Sequence, residues 1–323
     1  MYTVPAFRRG VAPALLGVLS VLATNLVAQG RPCPADSAAA SRVCQAGADL
    51  LTAFLPAEGA LVGGGNPVPG TAGAIGRFGH ARITARVGFL GMTIPKANYD
   101  GTSDTVHADK QLLVPLPRFD LSLGMFSKKL PMGTVALDLL GSAVVLPTSA
   151  TTRIHIDDNA RTLAGMALGL GYGFRAAFVL PGSGPTVSLN VMKRDMPAVR
   201  FGDLSSGDRL SAATTLSAIS ARLLVGGRTS LLTLTAGAGL DLYKGEGSVT
   251  YADSAGTDST VAVNLSTSRI MTLVNAAIDL GPLTLWGEGG FQVGKKTDLV
   301  TIFQRNDPSA GRFFGGLGAA IAF

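Results

Sequence analysis

The sequence predicts an all-β protein: a single closed antiparallel transmembrane β-barrel of about ten strands, with a short N-terminal helical periplasmic cap or plug. Three observations lead there. The composition is apolar without apolar runs, side chains alternate with a period of two, and the connections alternate between long and short.

The 323 residues are 47% hydrophobic and only 15% charged, with a mean hydropathy of +0.36. Soluble domains carry about 25% charged residues. Membrane helices would need roughly 20 consecutive apolar residues each, and only residues 11–28 come near that. Elsewhere the apolar residues are interleaved with Thr, Ser, Gly, Arg and Asp, as a membrane barrel requires. Many of the 42 glycines fall inside strand-like segments, Gly165, Gly169, Gly171 and Gly173 among them. In a small closed barrel such glycines leave room for long side chains that cross the lumen.

Arg8 and Arg9 precede an apolar run ending Leu26-Val27-Ala28. A positive flank, a short hydrophobic core and a small residue before the cut predict a secretory signal peptide over 1–28, the alternative being an uncleaved anchor. Removing those two arginines takes the net charge from +6 to about +4. The remaining basic excess is dispersed and excludes a nucleic-acid patch. The two cysteines, Cys33 and Cys44, lie just beyond the cut, where export makes a disulfide the default. Residues 36–46 read as a short helix starting near Asp36 or Ser37. Leu50, Leu51, Phe54 and Leu55 follow, then a Gly/Pro-rich stretch over 56–76. The expected organisation is 1–28 signal peptide, 29–78 periplasmic helix and cap or plug, and 79–323 barrel.

From His80 onward the faces alternate, as strand side chains must. In the first strand Ala81, Ile83, Ala85, Val87 and Phe89 oppose His80, Arg82, Thr84 and Arg86. The second sets Phe119, Leu121, Leu123 and Met125 against Arg118, Asp120, Ser122 and Gly124. The third sets Val135, Leu137 and Leu139 against Asp138 and Ser142. In the fourth, Ala164, Met166, Leu168, Leu170, Tyr172, Phe174, Ala176 and Phe178 point outward, opposite Gly165, Ala167, Gly169, Gly171, Gly173 and Arg175. Six more strands are expected near 186–194, 212–225, 231–243, 269–280, 283–293 and 312–323. Long connections are expected over 95–110, 147–161, 196–210, 252–261 and 295–311. Short ones are expected at 128–132, 181–185, 226–228 and 281–282. Outer-membrane barrels have long outer loops and short periplasmic turns, so both termini are expected in the periplasm.

The last strand runs through Phe313, Gly315, Leu317, Ala319 and Ile321 to a terminal Phe323, with Gly318 five residues before it. At these positions the chain resembles bacterial outer-membrane β-barrel proteins as a class. The resemblance covers residues 80–323 in organisation and no family-specific motif. It implies that Gly318, Ile321 and Phe323 form a signal for the barrel-insertion machinery, and that the protein resides in the outer membrane, in contact with its lipid. Ile321 stands where a second aromatic is frequent, and Gly316 where a polar residue is.

Alternation places seven arginines in the lumen: Arg82, Arg86, Arg118, Arg175, Arg194, Arg222 and Arg269. Five acids join them: Asp120, Asp138, Asp241, Asp279 and Glu288. Eight strands leave space mainly for side chains and porins need sixteen or more, so ten strands are expected to fill with ion pairs. The competing reading is a narrow, slightly basic conduit.

Three functions are open at this stage. Passive transport of a small or hydrophobic solute is expected first, by a narrow pore or a ligand route. Gly63-Gly64-Gly65-Asn66-Pro67 is similar to the N-terminal hatch of fatty-acid-transporter barrels. A structural or adhesive surface barrel with a filled lumen is the alternative. A remote one is an omptin-like surface protease, since His155, Asp157 and Asp158 share one loop and His107 lies in another, and Asp/His pairs can activate water. No omptin motif, Gly-x-Ser-x-Gly, phosphate loop or zinc spacing occurs. A non-enzyme without cofactor or metal is expected, with the ligand unknown.

Overall fold

The computed structural model of the protein describes residues 33, 37–96, 98–147, 149–151, 154–156, 160, 162–182, 184–252, 256–295 and 297–323. Residues 1–28, read as a signal peptide, lie outside the described residues.

Among the described residues, one helix and ten long strands form the body. Helix α1 is Ala38–Gly63. The strands are β1 (Ala81–Pro95), β2 (Ala108–Leu130), β3 (Gly133–Pro147), β4 (Met166–Val179), β5 (Thr186–Phe201), β6 (Leu210–Thr229), β7 (Leu232–Ala252), β8 (Asp258–Leu280), β9 (Leu283–Gly294) and β10 (Arg312–Ala322). Each pairs antiparallel with its sequence neighbour, and β10 returns to β1 with Arg82 opposite Ala322 and Leu90 opposite Phe314. Phe323 N–H donates to the Ala81 carbonyl at 2.9 Å and fastens that seam. The ring closes without an edge, which lipid demands because unpaired backbone groups have no partner there.

The strands connect at one mouth by 131–132, 180–185, 230–231 and 281–282, and at the other by 96–107, 148–165, 202–209, 253–257 and 295–311. These are called the turn mouth and the loop mouth. Two local expectations fail. The third turn is Ser230-Leu231, with Ser230 at φ 53°, and not 226–228, which continues β6. Ala164, expected on the outward face of the fourth strand, sits in a turn with φ 52° beside Gly165 at 76°.

The strands also run further than alternation suggested. β7 extends to Ala252 and pairs with β8 over Leu232–Ala252, so residues 244–252, beyond the expected end at Tyr243, belong to the wall. The wall is uneven. β7 and β8 have 21 and 23 residues, whereas β9 and β10 have 12 and 11 and stop level with Arg269, which pairs with Gly294.

Helix α1 lies inside the barrel. Ser37 caps it, its side chain accepting from Ala40 N–H at 3.2 Å. The helix runs through Pro56 to Gly63 and so replaces the expected short helix over 36–46. Pro56 removes one ladder hydrogen bond, but the buried packing around it holds the helical path. The Cys33–Cys44 disulfide is formed.

Candidate functional site: the filled lumen

The direction of α1 follows from its contacts. Arg42 Nη1 donates to the Gly101 carbonyl at 3.1 Å, in the first loop-mouth connection. Further along, Gly47 abuts Val249, Gly59 abuts Tyr243, and Gly63 lies 3.5 Å from Asp241 Oδ1, measured from where a Cβ would stand. β7 climbs from the turn mouth at Leu232, so the helix descends from the loop mouth. Residues 64–80 continue downward. Asn66 N–H donates to Glu288 at 2.9 Å, Gly70 N–H to Asn275 at 3.0 Å and Ile75 N–H to Asp138 at 3.4 Å, before the chain enters β1. The plug therefore crosses the lumen from end to end. The first helical turn of the plug is at the loop mouth and Phe323 at the turn mouth, so the two described ends lie at opposite mouths, where both termini were expected on one side. The cause is the 26-residue helix, about 39 Å long at 1.5 Å per residue, which alternation along strands could not reveal.

The lumen has two levels. On β8 the outward residues from Leu280 to Ile270 include Ile278, Val274 and Ile270, at 48%, 64% and 60% exposure. Ten residue steps of about 3.3 Å, tilted by about 40°, make an apolar band about 25 Å tall. Above Ile270 the outward residues become Ser268, Ser266 and Asn264, while Val263 and Leu265 turn inward and are buried. β6 reverses in the same way. Ile219, Leu223 and Val225 are exposed below, and Leu210, Ala212 and Leu216 are buried above. On β7 the change falls between Leu242 and Lys244. Register aligns the three reversals, since Ala218 pairs with Tyr243 and Leu242 with Ser268. The wall is thus apolar outside at the level of lipid and apolar inside beyond it.

The twelve charged residues assigned to the lumen by alternation turn their side chains into the barrel, Arg269 doing so at the upper limit of the lipid level. Arg175 meets Asp138 at 2.7 Å and Arg222 meets Asp241 at 2.6 Å, all four side chains fully buried. Arg86 bridges Asp120 at 2.8 Å and Glu288 at 3.3 Å, and Arg118 approaches Asp120 at 3.5 Å. Asp279 accepts from Thr284 at 2.7 Å and Thr233 at 3.2 Å. Arg194 reaches the hydroxyls of Ser220 and Ser142 at 3.2 and 3.4 Å, and Arg82 the Pro69 carbonyl at 3.1 Å. Pairing of this kind makes buried charge tolerable. Glycines make the room, since a Cβ on Gly171 would stand 2.6 Å from Arg194 Cγ and one on Gly239 2.5 Å from Arg222 Cδ.

Several arginines hold the plug as well as their partners. Arg118 donates to the Val62 carbonyl at 2.6 Å and Arg222 to that of Gly63 at 2.9 Å. Both lie at the helix carboxyl end, whose partial negative charge favours cations. Arg86 donates to the Asn66 carbonyl at 2.9 Å. These acceptors are backbone atoms and carry no residue-type signal, so the sequence could not reveal them.

The upper level is an apolar core around α1. Leu51, Leu55, Val249, Tyr251, Val263 and Leu265 are among its buried members. On the low side, residues 295–311 replace the missing wall. Phe303 inserts into the core, Ile302–Phe303 pairs with Thr105–Val106, and Asp49 accepts from the N–H groups of Val300 and Thr301 at 3.1 and 2.9 Å. Arg269 fastens the end of this strap through the carbonyls of Pro308 and Ala310, both at 2.6 Å. Outside the lipid level, Asp307 is held below the usual carboxylate range, first by its hydrogen bond from Ser309.

A cavity of about 600 Å³ opens at the turn mouth beneath the plug, bordered by His80, Arg82, Arg228, Thr233, Asp279 and Phe323. Gly318 packs against Trp286, Ile321 faces outward, and Phe323 is exposed at the same mouth. Asp157 and Asp158 lie outside the described residues. His155 belongs to a short strand, Ile154–Ile156, beside β5, while His107 lies in the first loop-mouth connection, far away in sequence.

No family model and no curated protein matches the chain. Solved structures with a similar course include the outer membrane protease OmpT from Escherichia coli, at 10% identity over 76% of this chain and 96% of that one, TM-score 0.38. The translocator domain of autotransporter NalP from Neisseria meningitidis matches at 11% identity over 85% and 98%, TM-score 0.41. Ail, the attachment invasion locus protein of Yersinia pestis, matches at 8% over 76% and 99%, TM-score 0.29. What gives the chain its class is its own wall: ten strands closed without an edge around polar side chains, with an apolar band of membrane height, make it an outer-membrane β-barrel of no specific subfamily.

Proposed function

We propose that this is an outer-membrane barrel sealed at rest, a structural or adhesive protein that acts through the assembly at its loop mouth. The observation that carries this reading is the continuity of the packing. From Arg175–Asp138 through Arg222–Asp241 to Gly47 against Val249, the described lumen is occupied by paired charges and then by a buried apolar core. A passive pore would need an open path through these groups. The long connections would face outward and the turn mouth the periplasm, and Gly318, Ile321 and Phe323 would guide insertion.

Planar-bilayer recording of the purified protein tests this. No open-channel current is expected, and a steady conductance in the unaltered protein would restore the passive-transport reading. A second reading, gated passage of a small or hydrophobic solute, is favoured by the cavity of about 600 Å³ that ends blindly against residues 70–75. It expects current once residues 37–76 are deleted and solute uptake by the intact chain. Conductance of the deletion variant without uptake would leave the plug as a filler.

A further inference from the structure

We infer that the cavity at the turn mouth binds a small oxyanion, a carboxylate or phosphate group on a compact body, held by Arg82 with Arg228 at the entrance. Arg82 carries the inference because its charge has no carboxylate in contact. Among the described residues, Arg86, Arg118, Arg175 and Arg222 each meet an acid inside the lumen. Arg194 and Arg269 rest on hydroxyls and carbonyls, and neither borders the cavity. Arg82 Nη2 donates only to the Pro69 carbonyl at 3.1 Å, and its buried Nε has no hydrogen-bond partner. The residue is 7% exposed, yet it borders a space of about 600 Å³. A buried cation without a counter-charge is costly, and pockets of roughly 300–1,000 Å³ suit small molecules.

The surroundings are shaped to this guanidinium. Gly70 has φ +82°, and a Cβ on it would stand 2.9 Å from Arg82 Nη2 and 3.3 Å from Ala277 Cβ, so glycine lets the plug close over the charge. Its N–H is fixed by Asn275 at 3.0 Å. Asp279, the acid on the cavity wall, is engaged elsewhere. It accepts from Thr284 and Thr233 and stands 3.5 Å from Arg228, whose side chain is 62% exposed. It therefore holds the second guanidinium at the entrance and leaves the first without a partner. A guanidinium fork takes both oxygens of a carboxylate or phosphate. Residues 70–75 close the inner end, so the ligand enters and leaves by the turn mouth. In this the inference rests on the sealed reading given above.

Calorimetric titration of the detergent-folded full-length chain with inorganic phosphate, and separately with succinate, tests it. At least one should bind with one-to-one stoichiometry. Arg82→Gln should weaken that binding by about tenfold or more, and Arg228→Gln by about threefold. Binding of neither probe overturns the inference, as does unchanged affinity in Arg82→Gln. Displacement by chloride at equal concentration would reduce the cavity to a general counter-ion site and also overturn it. Bilayer current is read separately: a conducting barrel that still binds removes the sealed reading alone, and a silent barrel that binds nothing removes this inference alone.

Should Arg82→Gln fail to fold, the unaltered chain decides. Saturating phosphate or succinate should slow phenylglyoxal modification of Arg228, read by peptide mass spectrometry. Modification of Arg305, exposed in a loop-mouth connection, should keep its rate. Equal slowing at both residues, or none at either, overturns the inference.

Discussion

Below Arg269, β8 turns Ile270, Val274 and Ile278 outward and Asn275 and Asp279 inward. Above it, the same strand turns Asn264, Ser266 and Ser268 outward and Val263 and Leu265 inward. The lower level is built for lipid, with its charges paired along the axis. The upper level is built for water, with an apolar core as in a soluble protein. The backbone ladder is continuous across the boundary. Solvent alone dictates which alternate residue is apolar, and period-two alternation survives a reversal that changes its meaning.

The difference between the levels predicts unequal responses to substitution. The largest effect is expected at Asp138, whose carboxylate meets Arg175 at 2.7 Å with both side chains fully buried. Asp138→Ala leaves an uncompensated guanidinium in the lumen and should cost about 3–5 kcal/mol. The urea midpoint of the detergent-folded barrel reads it. An unchanged midpoint would mean that the lower level does not depend on its charge pairs.

The next test places one side chain on both sides of the boundary. Val274 points outward near the middle of the apolar band and is 64% exposed. Val274→Arg should destabilise the barrel by about 2–4 kcal/mol in a bilayer. Ser266→Arg, on the same face two turns of the pleat above Ile270, should stay within about 0.5 kcal/mol, as water-facing substitutions do. Equal losses at the two sites, measured by folding into vesicles, would erase the boundary.

The boundary also explains which parts of the structure were legible in the sequence. Residues 81–89, 119–125 and 166–178 keep apolar side chains outward, and their faces follow directly from alternation. Beyond Tyr243 and before Arg269 the phase reverses, so Lys244, Glu246, Asn264 and Ser266 fall outside the expected strands and outside the expected connection, although they lie on paired strands. The twelve lumen charges were visible because only one face of a lipid-level strand can hold them. Their second partners were not, because Val62, Gly63, Asn66 and Pro69 contribute backbone carbonyls. Pro56 and the glycines around 63–65 hid the length of α1, since propensity argues against a helix there and burial inside the barrel overrides it.

The smallest effect is expected at the top of the upper level. The Ser37 side chain accepts from Ala40 N–H at 3.2 Å and satisfies one of the unpaired donors of the first helical turn. Ser37→Ala should cost about 1 kcal/mol, too little to move the unfolding midpoint of the whole barrel far. The effect should nevertheless be local. Amide exchange ought to quicken at residues 38–41, where the disulfide to Cys44 limits fraying to the first turns. Exchange at 62–66, held by Arg118, Arg222 and Arg86, should not change. If loosening the cap also speeds exchange at 62–66, the two levels move as one body. If it does not, the paired arginines isolate the lipid level from events at the mouth, and the reversal of polarity is also a boundary in stability.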